Sequence, residues 1–242
     1  ATRNALAVPF AGAYAALVGV ALLALALISL IHFPPLPLPS IARPGRALLE
    51  IARQPAFLVA VMACSLGYGV MNLLMAATPI AMSQCAHPFS STALVLEWHV
   101  LGMYVPSFFT GSLIRRFGGL PVMGVGVVLN AVCIAVALSG VDLTHFLVAL
   151  FTLGVGWNFL YIGGTTLLTE TYHPEEKTTA QAAMDTTVFT TMTITSFSSG
   201  ALVTTQGWTW LNLGSIIPVL MCAAGLAWLA MQRRGARNQP AV

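Results

Sequence analysis

Seven long apolar runs, each ended by Gly, Pro or a charged residue, fill almost the whole chain: residues 10–31, 56–82, 92–113, 121–138, 145–168, 180–204 and 210–230. A helix needs about 20 apolar residues to cross the roughly 30 Å hydrocarbon core of a bilayer, and each run approaches or exceeds that length. A membrane β-barrel would show alternating segments of about 10 residues instead, and the sequence has none. With 57% hydrophobic and 7% charged residues, a soluble domain of this size would lack a polar surface. The expected fold class is an all-α polytopic membrane protein with about seven transmembrane helices.

The few basic residues are clustered. Arg43, Arg46 and Arg53 lie between the first and second runs, and Arg115 and Arg116 between the third and fourth. Lys177 lies between the fifth and sixth, and Arg233, Arg234 and Arg237 follow the seventh. Threading the chain back and forth puts these nine on one side and leaves Arg3 on the other. Cytoplasmic loops carry the excess of Lys and Arg, so residue 1 is expected outside the plasma (inner) membrane and the C-terminal tail in the cytoplasm. The net charge of +3 is then a topology signal, and no nucleic-acid partner is expected. Cys64, Cys85, Cys133 and Cys222 have no C-x-x-C spacing and no nearby His pair, so no metal, cofactor or disulfide is expected. The chain opens on Ala1 without a basic stretch and a short cleavable apolar segment. The first run therefore reads as a true span, and further sequence is expected upstream.

The longest polar connection, 32–55, is Pro-rich at first, and its second part, 46–53, reads as a short amphipathic helix at the cytoplasmic face, with Leu48, Leu49 and Ile51 toward lipid or protein. Of the six runs that follow, the fourth and seventh of the chain are almost wholly apolar. The second, third, fifth and sixth carry the polar residues. The sixth is the most unusual, with Asp185 followed by nine Ser or Thr up to residue 199. A helix that is polar around much of its circumference must face protein or water. The order is lined, lined, peripheral, repeated once.

This three-plus-three pattern resembles the C-terminal half of a major facilitator superfamily transporter. Two loops carry the resemblance further. GSLIRRFGG matches the family's glycine–acid–arginine–glycine loop at Gly111, Arg116 and Gly118, with Arg115 where the acid is usual. TETYHPEEKTTAQ is similar to the family's acid–Pro–Glu–Glu–basic loop. The resemblance implies that residues 1–32 hold the last helix of an N-terminal half and 33–55 the cytoplasmic linker. Residues 56–231 would be the six-helix C-terminal half, and 232–242 a cytoplasmic tail. It further implies alternating access around a site shared with the missing N-terminal half. With Arg115 in the acid position, a charge-network gating role for that loop does not follow.

Several side chains invite a chemical reading. Glu97 and His99, near the outer end of the third run, could pass a proton toward a central cavity, or could be a hydrated interfacial pair. At i and i+2 they do not share a helix face. Asp185, about one and a half turns into the sixth run, is a protonatable acid on the cavity wall or an anchor for the preceding loop. Tyr68, Asn72, Trp157, Asn158 and Tyr161 fall near mid-membrane, with Asn158 and Tyr161 at i, i+3 on one face. Together with Tyr104, Thr187, Thr190 and Thr191 they could line a cavity for a moderately apolar, ring-containing molecule, or simply pack helices together. The paired glycines at 67 and 69, 154 and 156, and 163 and 164 permit close helix approach.

A retinal protein would need a Lys inside a helix, and Lys177 is in a loop. No catalytic constellation is present, so an enzyme is not expected. The reading is secondary active transport of a small organic molecule, proton-coupled. A seven-helix receptor or a non-transporting membrane scaffold is the alternative.

Overall fold

The computed structural model describes residues 11–31 and 45–237. The chain divides into two units, Ala1–Ala42 and Arg43–Val242. In the first, α1 (Ala11–Ser29) is a helix without a charged residue, about 28 Å long at 1.5 Å rise per residue. Arg3, Arg43 and the Pro-rich first part of the linker lie outside the described residues.

The second unit is built from α2 (Leu48–Ala52), α3 (Pro55–Gln84), α4 (Phe89–Tyr104), α5 (Ser107–Phe117), α6 (Gly119–Ser139), α7 (Leu143–Leu168), α8 (Lys177–Thr205) and α9 (Gly207–Arg237), with a 3₁₀ turn at Pro174–Glu176 before α8. Among the described residues there is no strand. The molecule is an all-α polytopic membrane protein. Among the described residues five helices, α1, α3, α6, α7 and α9, are long and apolar enough to cross a membrane.

The two other expected spans depart from that standard for different reasons. The third run is broken into α4 and α5, of 16 and 11 residues, because Pro106 lacks the N–H that would continue the ladder and its ring crowds the preceding turn. The sixth run is one helix, α8, of 29 residues, but its Ser and Thr content keeps it from reading as an apolar span. The linker helix is also shorter than expected, five residues. Ile51 is fully buried, whereas Leu48, Leu49 and Glu50 are exposed. At the other end α9 continues to Arg237, into the expected tail.

The packing follows an exchange between the two triplets. α3, first of its triplet, packs on α8 and α9, the second and third of the other. Reciprocally α7 packs on α4 and α6, while α3 and α7 meet each other. The two first helices are accordingly the most buried, and their interior faces supply Leu74, Leu150 and Leu153, all with no exposed surface. Glycines set how closely α7 is held: a Cβ at Gly154 would stand 2.6 Å from the His99 carbonyl of α4, and one at Gly156 2.9 Å from the Gly126 carbonyl of α6. Backbones touch there because neither position carries a side chain.

Two ion pairs gather the basic residues at one end. Arg46 pairs with Glu176 at 2.7 Å and Arg233 with Glu170 at 2.7 Å. They join the linker, the α7–α8 connection and the end of α9. Arg115 and Arg116 close α5 at the same level in the threading, in its last turn, where cations oppose the negative end of the helix dipole. Gly118 then turns the chain at φ 89°, a left-handed conformation that favours Gly.

Candidate functional site

α3, α7 and α8 bring three aromatic rings and a polar helix face together. Trp157 and Tyr161 are one helical turn apart on α7, so their rings stack, with centroids 5.2 Å apart and planes 11° apart. Tyr68 of α3 meets both edge-on, at 5.2 Å from Trp157 and 5.6 Å from Tyr161. Such offset and edge contacts suit the ring quadrupoles. Trp157 is buried, and its indole Nε1–H has no hydrogen-bond partner. The Tyr104 side chain is 59% exposed at the end of α4.

α8 closes on this cluster through Gly69, where a Cβ would stand 2.8 Å from the Thr191 methyl. Thr187 and Thr190 are exposed and Thr191 half-buried. All three hydroxyls donate back along their own helix, to the Ala183, Thr186 and Thr187 carbonyls at 2.9, 2.7 and 2.9 Å. Asp185 is exposed on the same helix. No hydrogen bond or ion pair holds its carboxylate among the described residues, so it is not the anchor of the preceding loop. That work is done by Glu176.

Other expected members stand elsewhere. Asn158 does not join Tyr161 at the cluster: it is 1% exposed and turned toward the α4–α5 break. There its Oδ1 accepts from Thr110 Oγ1 at 2.7 Å, and its Nδ2 donates to the Met103 carbonyl and Ser107 Oγ, both at 2.7 Å. The physical reason is Pro106: the break frees backbone and hydroxyl groups that lipid cannot satisfy, and the amide satisfies them. Asn72 is likewise engaged, its Nδ2 donating to Ser196 Oγ at 2.8 Å, Thr195 Oγ1 at 3.0 Å and the Met192 carbonyl at 3.1 Å. It fastens α3 to α8.

His99 and Glu97 separate completely. His99 has no exposed surface and its Nδ1 lies 2.7 Å from the Leu150 carbonyl, an acceptor that requires the Nδ1–H tautomer. Its Nε2 has no partner. Glu97 is exposed on α4. Of the glycine–arginine loop, Gly111 has open space around it, Arg115 bonds Ser112 Oγ at 3.1 Å and Arg116 lies over the Phe117 ring at 5.2 Å.

The Arg46–Glu176 contact was not visible in the sequence, where Arg46 is only one more topology charge. Glu176 Oε1 accepts from the Arg46 backbone N–H at 2.7 Å and Nε at 2.8 Å, and Oε2 from the guanidinium at 2.7 Å and the His173 N–H at 2.9 Å. The guanidinium also reaches the Thr171 carbonyl at 3.1 Å, joined there by Gln54 Nε2 at 2.8 Å. The Arg46 hydrogen bonds, with that of His173, hold the Glu176 carboxyl well below the usual carboxylate range. The one hint was HPEE, an acid three residues after a position able to cap.

Among the described residues no three His, Cys, Asp or Glu side chains converge as a metal site would need. Two grooves between α6 and α9 and one beside Trp98 and Phe151 are lined mainly by apolar side chains.

Comparison with known proteins fits this architecture. Residues 68–241 match the family model of the Major Facilitator Superfamily. The riboflavin transporter RfnT of Brucella anthropi is 44% identical over 168 residues, 69% of this chain and 42% of the relative. The MFS-type transporters YddS and YdeG of Bacillus subtilis are each 30% identical, over 66% and 63% of this chain and 37% and 36% of their own lengths. The chain thus spans about two fifths of the length of the curated relatives it matches. The matched residues, 68–241, take in Tyr68, Trp157, Tyr161 and Asp185 as well as every helix from α4 to α9, and on that match the chain belongs to the Major Facilitator Superfamily.

Proposed function

We propose that this chain is the C-terminal half of a proton-coupled secondary transporter for a planar, ring-containing solute of the flavin class, working by alternating access against an N-terminal half. The observation that carries this reading is the Tyr68–Trp157–Tyr161 cluster beside the hydroxyl face of α8. Stacked aromatic side chains offer a flat apolar surface to a planar heterocycle, and the hydroxyls a polar one to its substituents. The 44% identity to a protein named as a riboflavin transporter points to the same class of solute. The exposed carboxylates of Asp185 and Glu97 serve proton coupling better than His99, whose ring is sealed between α4 and α7.

The test is uptake of labelled riboflavin by a riboflavin-requiring bacterium expressing the native full-length protein. Uptake above the vector control is expected. Trp157→Ala and Tyr161→Ala should each raise the half-saturating concentration about 3- to 10-fold, the equivalent of about 0.5–1.5 kcal/mol per aromatic contact. Asp185→Asn should flatten the pH dependence of uptake. Riboflavin uptake no greater than the control rejects the flavin reading. Normal uptake in Trp157→Ala rejects the placement of the site.

A further inference from the structure

A groove lies away from the aromatic cluster, on the outer face between α6 and α9. It has a volume of about 550 Å³, within the roughly 300–1,000 Å³ of ligand-sized sites. Its walls are Leu120, Gly124 and Val128 of α6 with Ala223, Ala227 and Ala230 of α9, and it ends at Arg233 and Arg234. Small residues on both helices make the trough, and a Cβ at Gly124 would meet nothing within 4 Å.

Charge is confined to one end. Arg233 is paired with Glu170 at 2.7 Å, whereas Arg234 is exposed and has no hydrogen bond or ion pair among the described residues. The N-terminus of α6, without a side-chain cap from Gly118, opens at the same end through Leu120 and Pro121. Helix N-termini and arginine both favour an anion. From Ala223 to Arg234 α9 rises about 16 Å, roughly the depth of one leaflet of a 30 Å hydrocarbon core. A second groove on the same helix pair, nearer the opposite end, is lined by Ala131, Ala135, Ile216 and Leu220 among others and has no charged residue.

From this charge complementarity and length we infer that the α6–α9 groove is a binding site for an anionic phospholipid of the leaflet at the arginine-rich end. Its acyl chain lies along the alanine and glycine trough, and its phosphate meets Arg234 and the N-terminus of α6. Arg233, shared with Glu170, borders the headgroup. Basic pockets between spanning helices are a known means of holding acidic lipid headgroups, and the uncharged groove on the same helices supplies an internal contrast.

Native mass spectrometry of the full-length protein, delipidated in detergent and titrated with phosphatidylglycerol or with phosphatidylcholine of the same acyl chains, tests this. Phosphatidylglycerol should be retained about tenfold more tightly than phosphatidylcholine. Arg234→Gln should weaken its retention about fivefold, the equivalent of about 1 kcal/mol for one arginine at an anionic surface. Ala227→Trp, which fills the trough with the arginines intact, should also lower it, while Ala135→Trp in the uncharged groove should not. Equal retention of the two lipids overturns the inference, as does unchanged retention in Arg234→Gln or Ala227→Trp. A dimer that Ala227→Trp converts to monomer would identify the groove as a self-interface and would overturn it too.

Discussion

Glu176 is 3% exposed, yet it carries a charge, and Arg46, the Arg46 N–H and the His173 N–H are what make this tolerable. A buried carboxylate survives when its lone pairs are all met. Removing the charge should therefore reveal itself in pH. Because the folded state holds this carboxyl below its ordinary value of 4.5, its contribution is complete above about pH 4.5 and is lost as pH falls through the depressed folded value. Glu176→Gln should lower the melting temperature at pH 7. The gap from the native protein should narrow below about pH 4.5, as measured by thermal unfolding in detergent across pH. A gap that stays constant down to pH 3 would contradict the role given to this ion pair.

Among the helices, the decisive contacts are backbone to backbone. Gly154→Ala would drive a methyl toward the His99 carbonyl 2.6 Å away, and neither helix can yield locally. It should cost about 1–3 kcal/mol, the usual penalty for overpacking. Gly124→Ala, with open space around it, should be neutral or slightly stabilising. Asn158→Ala removes three interhelical contacts, which at about 0.6 kcal/mol each inside a membrane amounts to about 2 kcal/mol. Thermal unfolding of the three variants checks the order. Most helices were legible in the sequence because apolar runs of bilayer length leave few alternatives. The break between α4 and α5 was marked by Pro106 but hidden in a run that is otherwise continuous. Asn158 was misread because spacing along one helix tells which residues share a face, not which neighbour that face meets. Stacking at i, i+4 put Tyr161 with Trp157 instead. Glu176 and Arg46, 130 positions apart, pair only once the bundle has formed, and no local pattern could have joined them.

For the molecule as a whole, the exposed face of α8 should be wet in the assembled transporter and the outer faces of α6 and α9 should not. Cysteines placed at Thr187 and Thr190, in a Cys85→Ser background that removes the exposed native thiol, should react with a water-soluble maleimide. Cysteines at Val127, which is buried, or Leu220, exposed on the outer groove, should not. Comparable labelling at all four would refute the division into cavity and lipid faces. The same face has a chemical polarity of its own. Thr186, Thr187, Thr190 and Thr193 each turn their hydroxyl hydrogen inward onto a carbonyl four residues back. What remains outward is oxygen lone pairs, next to the two oxygens of Asp185. With the hydroxyls so turned, these threonines and Asp185 present acceptors. A solute that brings hydrogens of its own, as a polyol chain does, suits that arrangement.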